Sequence, residues 1–352
     1  MAETNYKGKW IVDYFKNFFL RLVEYKLGMS SDPIECFIIV TQNCNSKCIM
    51  CNYWMNNEKN EITVEQLRKI LHSPSLKRLK SIALTGGEPL LRKDLPEIIK
   101  AVYEETGVKP TLATNGLFPV LLDNLLETHK QYLCGVTMSF DGVGDVHNKI
   151  RGKMNFEVAM KSLNVIKKHN FVPGVSMTLM RDNYDKLKET FEFFKEFGFT
   201  YKSVQNTPHH FGNNVGNDVG LNYEMKKNIV ETSKNLPINN LYDAFMEEWL
   251  LEGKRPVCYA GSAGVVITSK GDIQPCIQKP SIGNALVDDF EKIWHSEKAK
   301  AFRRNVAPNC KECYQRCTTH SYSLEMPKWV IKYRLKKLKN LTFLKKFWQT
   351  DK

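Results

Sequence analysis

The chain has 352 residues, 42% of them apolar and 11% aromatic, which is enough core-forming material to exclude intrinsic disorder. No window of 18 apolar residues exists to span a bilayer. The formal charge is +13, but residues 325–352 hold nine Lys or Arg against two acids and supply +7 of it. The excess is therefore an appendage, and nucleic acid is set aside as a partner. The start, "MAETNYKGKWIVDYFKN", lacks the pattern of a signal peptide, so a cytoplasmic location is expected. In a reducing compartment clustered cysteines are more often metal ligands or catalytic groups than disulfides.

In chain order, residues 10–26 carry Ile11, Tyr14 or Phe15, Phe18 and Leu22 at helical spacing, an N-terminal amphipathic segment within 1–34. "CFIIVT" from residue 36 reads as a buried strand. Strand-like and helix-like segments then alternate: "SIALTG" (81–86), "KPTLATNG" (109–116), "GVTMSFDG" (135–142), "GVSMTLM" (174–180) and "YKSVQN" (201–206) are separated mainly by helical patterns. Parallel strands need such crossovers, so the fold class is α/β, with a partial (β/α)6 barrel over 35–215. A helical linker is expected over 216–256. A cysteine-rich region, 257–322, begins with two short strands about the turn "SKGD" and continues with the helical "DDFEKIWHSEKAKAFRRN". It is too small for its own apolar core, a situation in which metals substitute for packing. A basic amphipathic tail, 323–352, closes the chain.

Eight of the ten cysteines fall into two groups. Cys44, Cys48 and Cys51 form CxxxCxxC directly beyond the first strand. Three thiolates within eight residues can surround a [4Fe–4S] cluster and leave one iron free for a substrate or cofactor. Zinc stays open by spacing alone and would need a fourth ligand from elsewhere, His72, His129 or His147. A redox role or an inert one is the third reading.

CxxxCxxC after the first strand of a partial barrel, followed by "GGEP" at 86–89, resembles the radical S-adenosylmethionine (SAM) superfamily. The resemblance implies that Cys44, Cys48 and Cys51 hold a [4Fe–4S] cluster whose fourth iron binds the amino and carboxylate groups of SAM. It also implies that Gly86, Gly87 and Glu88 line the methionine moiety, since glycines permit close backbone approach and a carboxylate accepts from an ammonium. Thr114 and Asn115 of "TNG" fall near the adenosyl group by the same likeness. The resemblance further implies that Ser139 and Asp141 of "MSFDG" face the ribose, and that Arg151 orients that loop or meets a carboxylate. In relatives an aromatic residue precedes the third cysteine and packs over adenine. Here Met50 stands there, a thioether that can also pack on a ring, with Tyr53 as a second candidate.

The second group is Cys258, Cys276, Cys310, Cys313 and Cys317. The stretches "GVVITSKGDIQPC", "SIGNALVDDFEKIWHS" and "CKECYQRC" resemble the SPASM auxiliary-cluster domain that follows many radical SAM barrels. The resemblance implies one auxiliary [4Fe–4S] cluster on Cys258, Cys276 and two of Cys310, Cys313 and Cys317. A second cluster would need Cys134 or His320, and structural zinc is the remaining alternative. Apolar neighbours predict that Cys134 is buried and structural, and Cys36 likewise; facing the cavity, Cys134 would be a hydrogen donor.

The implied activity is reductive cleavage of SAM to a 5′-deoxyadenosyl radical that abstracts hydrogen from an unactivated carbon. Oxidation, epimerisation or bond formation would follow on a small-molecule, lipid-linked or glycan substrate. A ribosomal peptide maturase and a non-catalytic, metal-stabilised binding module are the alternatives. A one-electron reductant such as flavodoxin or ferredoxin is an expected partner. His209, His210 and Asn213 follow the sixth strand and are candidate substrate contacts. In the tail, Ile331, Leu335, Leu338, Leu341, Leu344 and Trp348 recur three or four apart among eight basic residues. That pattern fits packing on the barrel with a solvated basic face, peripheral contact with an anionic membrane at its inner face, or, as the least expected reading, nucleic acid or an acidic protein partner.

Overall fold

A computed structural model describes residues 32–310, apart from 172, 198, 205–217, 237–245, 255–257, 259 and 308. The N-terminal amphipathic segment, the basic tail, His209, His210, Asn213, Cys313, Cys317 and His320 lie outside the described residues.

Six parallel strands form the barrel: β1 (Glu35–Thr41), β2 (Ser81–Gly86), β3 (Thr111–Thr114), β4 (Gly135–Ser139), β5 (Gly174–Leu179) and β6 (Phe199–Val204). Each pairs with the next in sequence, giving the spatial order β6-β5-β4-β3-β2-β1. β1 reads ECFIIVT and is buried at six of its seven positions, because helices cover one face of a parallel sheet and the barrel interior the other. The crossovers are α1 (Val64–Leu71), α2 (Leu95–Thr106), α3 (Pro119–His129), α4 (Asp145–Arg151) with α5 (Asn155–Lys168), and α6 (Leu187–Phe194). Thr63 and Gln66 close α1 with a reciprocal capping box. Pro119 opens α3, where a missing N–H costs nothing. α7 (Tyr223–Lys234) and α8 (Met246–Leu250) follow the barrel.

The C-terminal region does not stand apart. β7 (Gly264–Ile267) pairs in parallel with β1, from Glu35 opposite Gly264 to Ile38 opposite Ile267. β8 (Asp272–Gln274) and β9 (Gly283–Asn284) then add in antiparallel fashion, so one open nine-stranded sheet runs from β6 to β9. The strand turn also docks on the barrel's loop. Ile62 N donates to Ser269 O at 2.7 Å, and Lys270 pairs with Glu58 at 2.8 Å. The region lacks a core of its own because it shares the barrel's: Val265, Ile267, Ile273 and Trp294 belong to the same apolar cluster as Ile38 and Leu84. The helix expected over 288–305 is broken into α9 (Phe290–Trp294), α10 (Glu297–Ala301) and a wider π turn (Phe302–Val306). His295 ends α9 and Ser296 caps α10 through Ala299 N.

A polar bond joins α9 to the barrel. The Glu291 carboxylate accepts from the Ser73 hydroxyl, and from the N–H and hydroxyl of Ser75, both at 2.8 Å.

Candidate active site

The carboxyl end of β1 leads into the loop that carries Cys44, Cys48 and Cys51. Gly86 and Gly87, at the end of β2, lie against this loop: Gly87 N donates to Thr41 O and Glu88 N to Asn43 O, both at 2.8 Å. A Cβ on Gly86 would stand 2.1 Å from Thr41 O, and one on Gly87 2.0 Å from Asn43 O. Gly86 also has φ +142°, open only to glycine. Both glycines are thus required where the strand-end turn meets the cysteine loop itself.

Glu88 is fully buried. One carboxylate oxygen accepts from the Thr114 hydroxyl at 2.8 Å and Leu90 N at 3.1 Å, the other from Asn115 N at 2.7 Å. Burial pushes its pKa up to about 7, against the pull of these donors and of the Arg151 charge. Visible here is a bolt between the ends of β2 and β3; its oxygens are already engaged by protein donors. Asn115 in turn reaches the cysteine loop, donating from Nδ2 to Asn45 Oδ1 at 2.8 Å, with Cys44 Sγ 3.9 Å away.

Asp141 is the second fully buried carboxylate. It accepts from Thr178 N at 2.8 Å and from Arg151 Nε at 2.6 Å, while its own carbonyl accepts from Asn183 Nδ2. Arg151 Nη1 lies 3.9 Å from Cys48 Sγ. The Ser46 hydroxyl donates to Arg151 O at 2.9 Å, accepts from Asn155 Nδ2 at 3.1 Å and stands 3.2 Å from Cys48 Sγ. Ile49 N donates to Ile150 O, so α4 and the cysteine loop are also tied by backbone. Ser139 is partly exposed at the end of β4. Met50 is buried and packs with Ile150, Met180, Val219 and the Cys48 side chain. Tyr53 is buried as well.

These contacts bear on what the thiols can hold. Burial pushes Cys44 up to about 12 and raises Cys51; neighbouring cysteines add to both, while the Ser46 N–H opposes the rise at Cys44 and the Tyr53 N–H and the Arg151 charge oppose it at Cys51. Alone, such thiols stay protonated; a polycationic iron centre makes them thiolates. Beside the sulfurs stand the Ser46 N–H, the Asn115 amide and the Arg151 guanidinium, donors of the kind that anionic sulfur requires. The three residues therefore fit an iron–sulfur cluster. Among the described residues no three His, Cys, Asp or Glu converge to hold a single ion. His147 is buried with Nδ1 accepting from Asp141 N, His72 sits outside beside Glu105, and His129 ends α3 with Nδ1 against the Thr128 hydroxyl, so none of the three is placed with the cysteines as a zinc set.

The second group occupies the opposite edge of the sheet. Cys258 precedes β7, which runs with β1, and Cys276 follows β8, which runs against β7. Both therefore lie toward the amino end of β1, while Cys44 lies beyond its carboxyl end. Burial pushes Cys258 up to about 12, and the nearness of Cys276 and Cys310 raises it further. Gln278 N points at Cys276 Sγ at 3.4 Å. Cys276 and Cys310 are thus near enough to Cys258 for their charges to act on it.

One expectation is corrected. Cys134 is exposed, not buried: it sits at the turn before β4, where its N–H donates to Pro110 O, four strand positions from β7. Cys36 is buried as predicted. Sequence reasoning missed Ser46, Asn155, Thr178 and Asn183, which position the loops. Ser46 alone had a signal, a hydroxyl between the first two cysteines.

Comparison with known proteins agrees with this geometry. The family model of the radical SAM superfamily matches residues 38–194. The SPASM model, an iron–sulfur cluster-binding domain, matches 258–318. AdoMet-dependent heme synthase of Methanosarcina barkeri is 25% identical over 79% of this chain and 86% of its own length. Mycofactocin maturase MftC of Mycolicibacterium smegmatis is 26% identical over 83% and 78%. The crystal structure of Streptococcus suis SuiB bound to S-adenosylmethionine shares the fold, with TM-score 0.62 and 17% identity over 82% of this chain and 71% of that one. With its cysteine loop at the carboxyl end of a partial barrel and a second thiol group in the appended hairpin region, the chain belongs to the radical SAM superfamily, and is an enzyme with a SAM-binding [4Fe–4S] cluster and a SPASM auxiliary-cluster domain.

Proposed function

We propose that this enzyme abstracts hydrogen from an unactivated carbon of a small-molecule substrate held in the barrel, and that the resulting carbon radical is oxidised. One observation carries the reading: the two thiol groups lie at opposite ends of β1 within one sheet. A substrate in the barrel then has a radical source toward one end and an electron acceptor toward the other. When bound, the first cluster and SAM supply a 5′-deoxyadenosyl radical. Loss of a hydrogen atom from substrate carbon gives 5′-deoxyadenosine. An auxiliary cluster held by Cys258, Cys276 and Cys310 would supply a one-electron acceptor, and loss of one electron and one proton from the substrate radical would leave a new double bond.

The chain's own part is to bind, orient and exclude water. Cys44, Cys48 and Cys51 hold the first cluster. Cys258, Cys276 and Cys310, with Cys313 or Cys317, hold the second. The backbone at Gly86 and Gly87, with Thr114, Asn115, Ser139 and Arg151, contacts SAM; Glu88 and Asp141 act from behind, holding Asn115 and Arg151. Met50 closes the apolar side of the pocket. The likeness to heme synthase over most of that protein's length supports a small-molecule substrate. A second reading, peptide maturation, is favoured by the comparable likeness to MftC, named a maturase.

The test is anaerobic reconstitution, reduction, and mass spectrometry of 5′-deoxyadenosine with extract from deuterated medium split into lipid, polar and peptide fractions. Deuterium transferred from the polar or lipid fraction is the expected result. Transfer from the peptide fraction alone would establish the second reading. No nucleoside with any fraction, at full cluster load, would overturn both.

A further inference from the structure

We propose that Arg151 sets the reduction potential of the first cluster, by placing a fixed positive charge against the Cys48 sulfur. Among the described residues two groups reach that sulfur, the Ser46 hydroxyl at 3.2 Å and Arg151 Nη1 at 3.9 Å. The hydroxyl has one proton and gives it to Arg151 O at 2.9 Å, while accepting from Asn155 Nδ2. It has none left for sulfur in that arrangement. The guanidinium never lacks one.

Arg151 is also held where it is. Asp141 grips Nε at 2.6 Å, and Asp141 is itself fixed by Thr178 N and through Asn183. The arginine backbone is held by Ser46 and Asn155. The side chain is 10% exposed and its carboxylate partner wholly buried, so solvent screens the charge little. The other two sulfurs meet neutral donors: the Asn115 amide, 3.9 Å from Cys44, and the Tyr53 backbone N–H at Cys51. Cys48 is therefore the sulfur that the guanidinium contacts, and the same charge also acts on Cys51. A reduced cluster holds one more negative charge than an oxidised one, so this contact favours the reduced form.

The inference rests on Cys44, Cys48 and Cys51 being cluster ligands. The experiment is anaerobic reconstitution of the full chain as wild type, Arg151→Gln and Arg151→Lys, with iron and sulfide counted per chain. The first cluster's potential is then titrated by electron paramagnetic resonance without SAM, and KM for SAM is measured separately. Arg151→Gln should disfavour reduction about tenfold, a shift of about 59 mV to lower potential for one electron; Arg151→Lys should recover most of it. Where Arg151→Gln holds no cluster, Asp141→Asn decides, since removing the counter-charge should move the potential upward.

An Arg151→Gln protein with full iron and the wild-type potential, whatever its KM for SAM, would overturn the proposal. So would loss of the cluster from all variants, which would assign the pair to assembly alone. A wild-type chain that binds no four-iron cluster at the first site would instead defeat the ligand assignment.

Discussion

Gly87→Ala is the sharpest perturbation of the site. The added methyl would lie 2.0 Å from Asn43 O, 2.5 Å from Asn43 C and 2.9 Å from Gln42 O, all backbone atoms, where real Cβ contacts essentially never fall below 3.0 Å. A backbone carbonyl cannot rotate away as a side chain can, so the loop must retreat by about 1 Å from the turn, by the difference between 3.0 and 2.0 Å. The same retreat stretches Gly87 N to Thr41 O and Glu88 N to Asn43 O, now 2.8 Å each, beyond bonding range. The buried Glu88 N–H, once orphaned, costs about 1–3 kcal/mol and loss of the bond from the half-buried Gly87 N–H about 0.5–1.5 kcal/mol, so about 1.5–4.5 kcal/mol is expected. The displaced residue immediately precedes Cys44, so iron loading should fall with stability. The assay is the denaturant midpoint of the unloaded chain together with iron per chain after reconstitution. Gly135→Ala is the control, because its Cβ would meet nothing within 4 Å. A Gly87→Ala protein with the wild-type midpoint and full iron would refute the reasoning.

Other outcomes follow from single contacts. Glu88→Gln must turn its new amide toward either Leu90 N or Asn115 N; one buried donor loses its acceptor, and a loss of about 1–3 kcal/mol is expected in the denaturant midpoint. Burial raises the Glu291 carboxyl, but Ser73, Ser75 and His295 outweigh it and hold it below the usual carboxylate range. With the folded value depressed, its stabilisation is present above the unfolded pKa and is lost as pH falls through the folded one. Hydrogen exchange at the Ser75 amide, corrected for intrinsic rate, should accelerate below about pH 4 and in Glu291→Gln at neutral pH. A thiol reagent should label Cys134 in the folded chain and spare Cys36 until it unfolds, with peptide mapping as the readout.

The alternation of apolar strand runs and helical periods made the barrel legible, since each crossover writes its own pattern. The first cysteine group was legible because its ligands are close in sequence. The protein partners of Glu88 and Asp141 were not: strand-end carboxylates look alike in sequence, and only the structure brings Thr114 to Glu88, and Thr178 and Arg151 to Asp141. Cys134 misled because Leu133 and Val136 around it are buried while the turn carrying it faces outward. The pairing of β7 with β1 left no local mark, as strand neighbours far apart in sequence share no periodicity.

That pairing has a consequence for how the molecule comes to be made. Gly264 sits opposite Glu35, 229 positions earlier in the chain (264 minus 35). During synthesis at about 5–20 residues per second, the strand leading into the first cysteine loop waits on the order of ten seconds or more for its second neighbour. Until then one margin of β1 offers unpaired N–H and C=O groups, a template for mispairing with other chains. Long-range closure of this kind is slow. Ribosome-bound chains cut short before residue 264 should therefore aggregate more readily than finished ones.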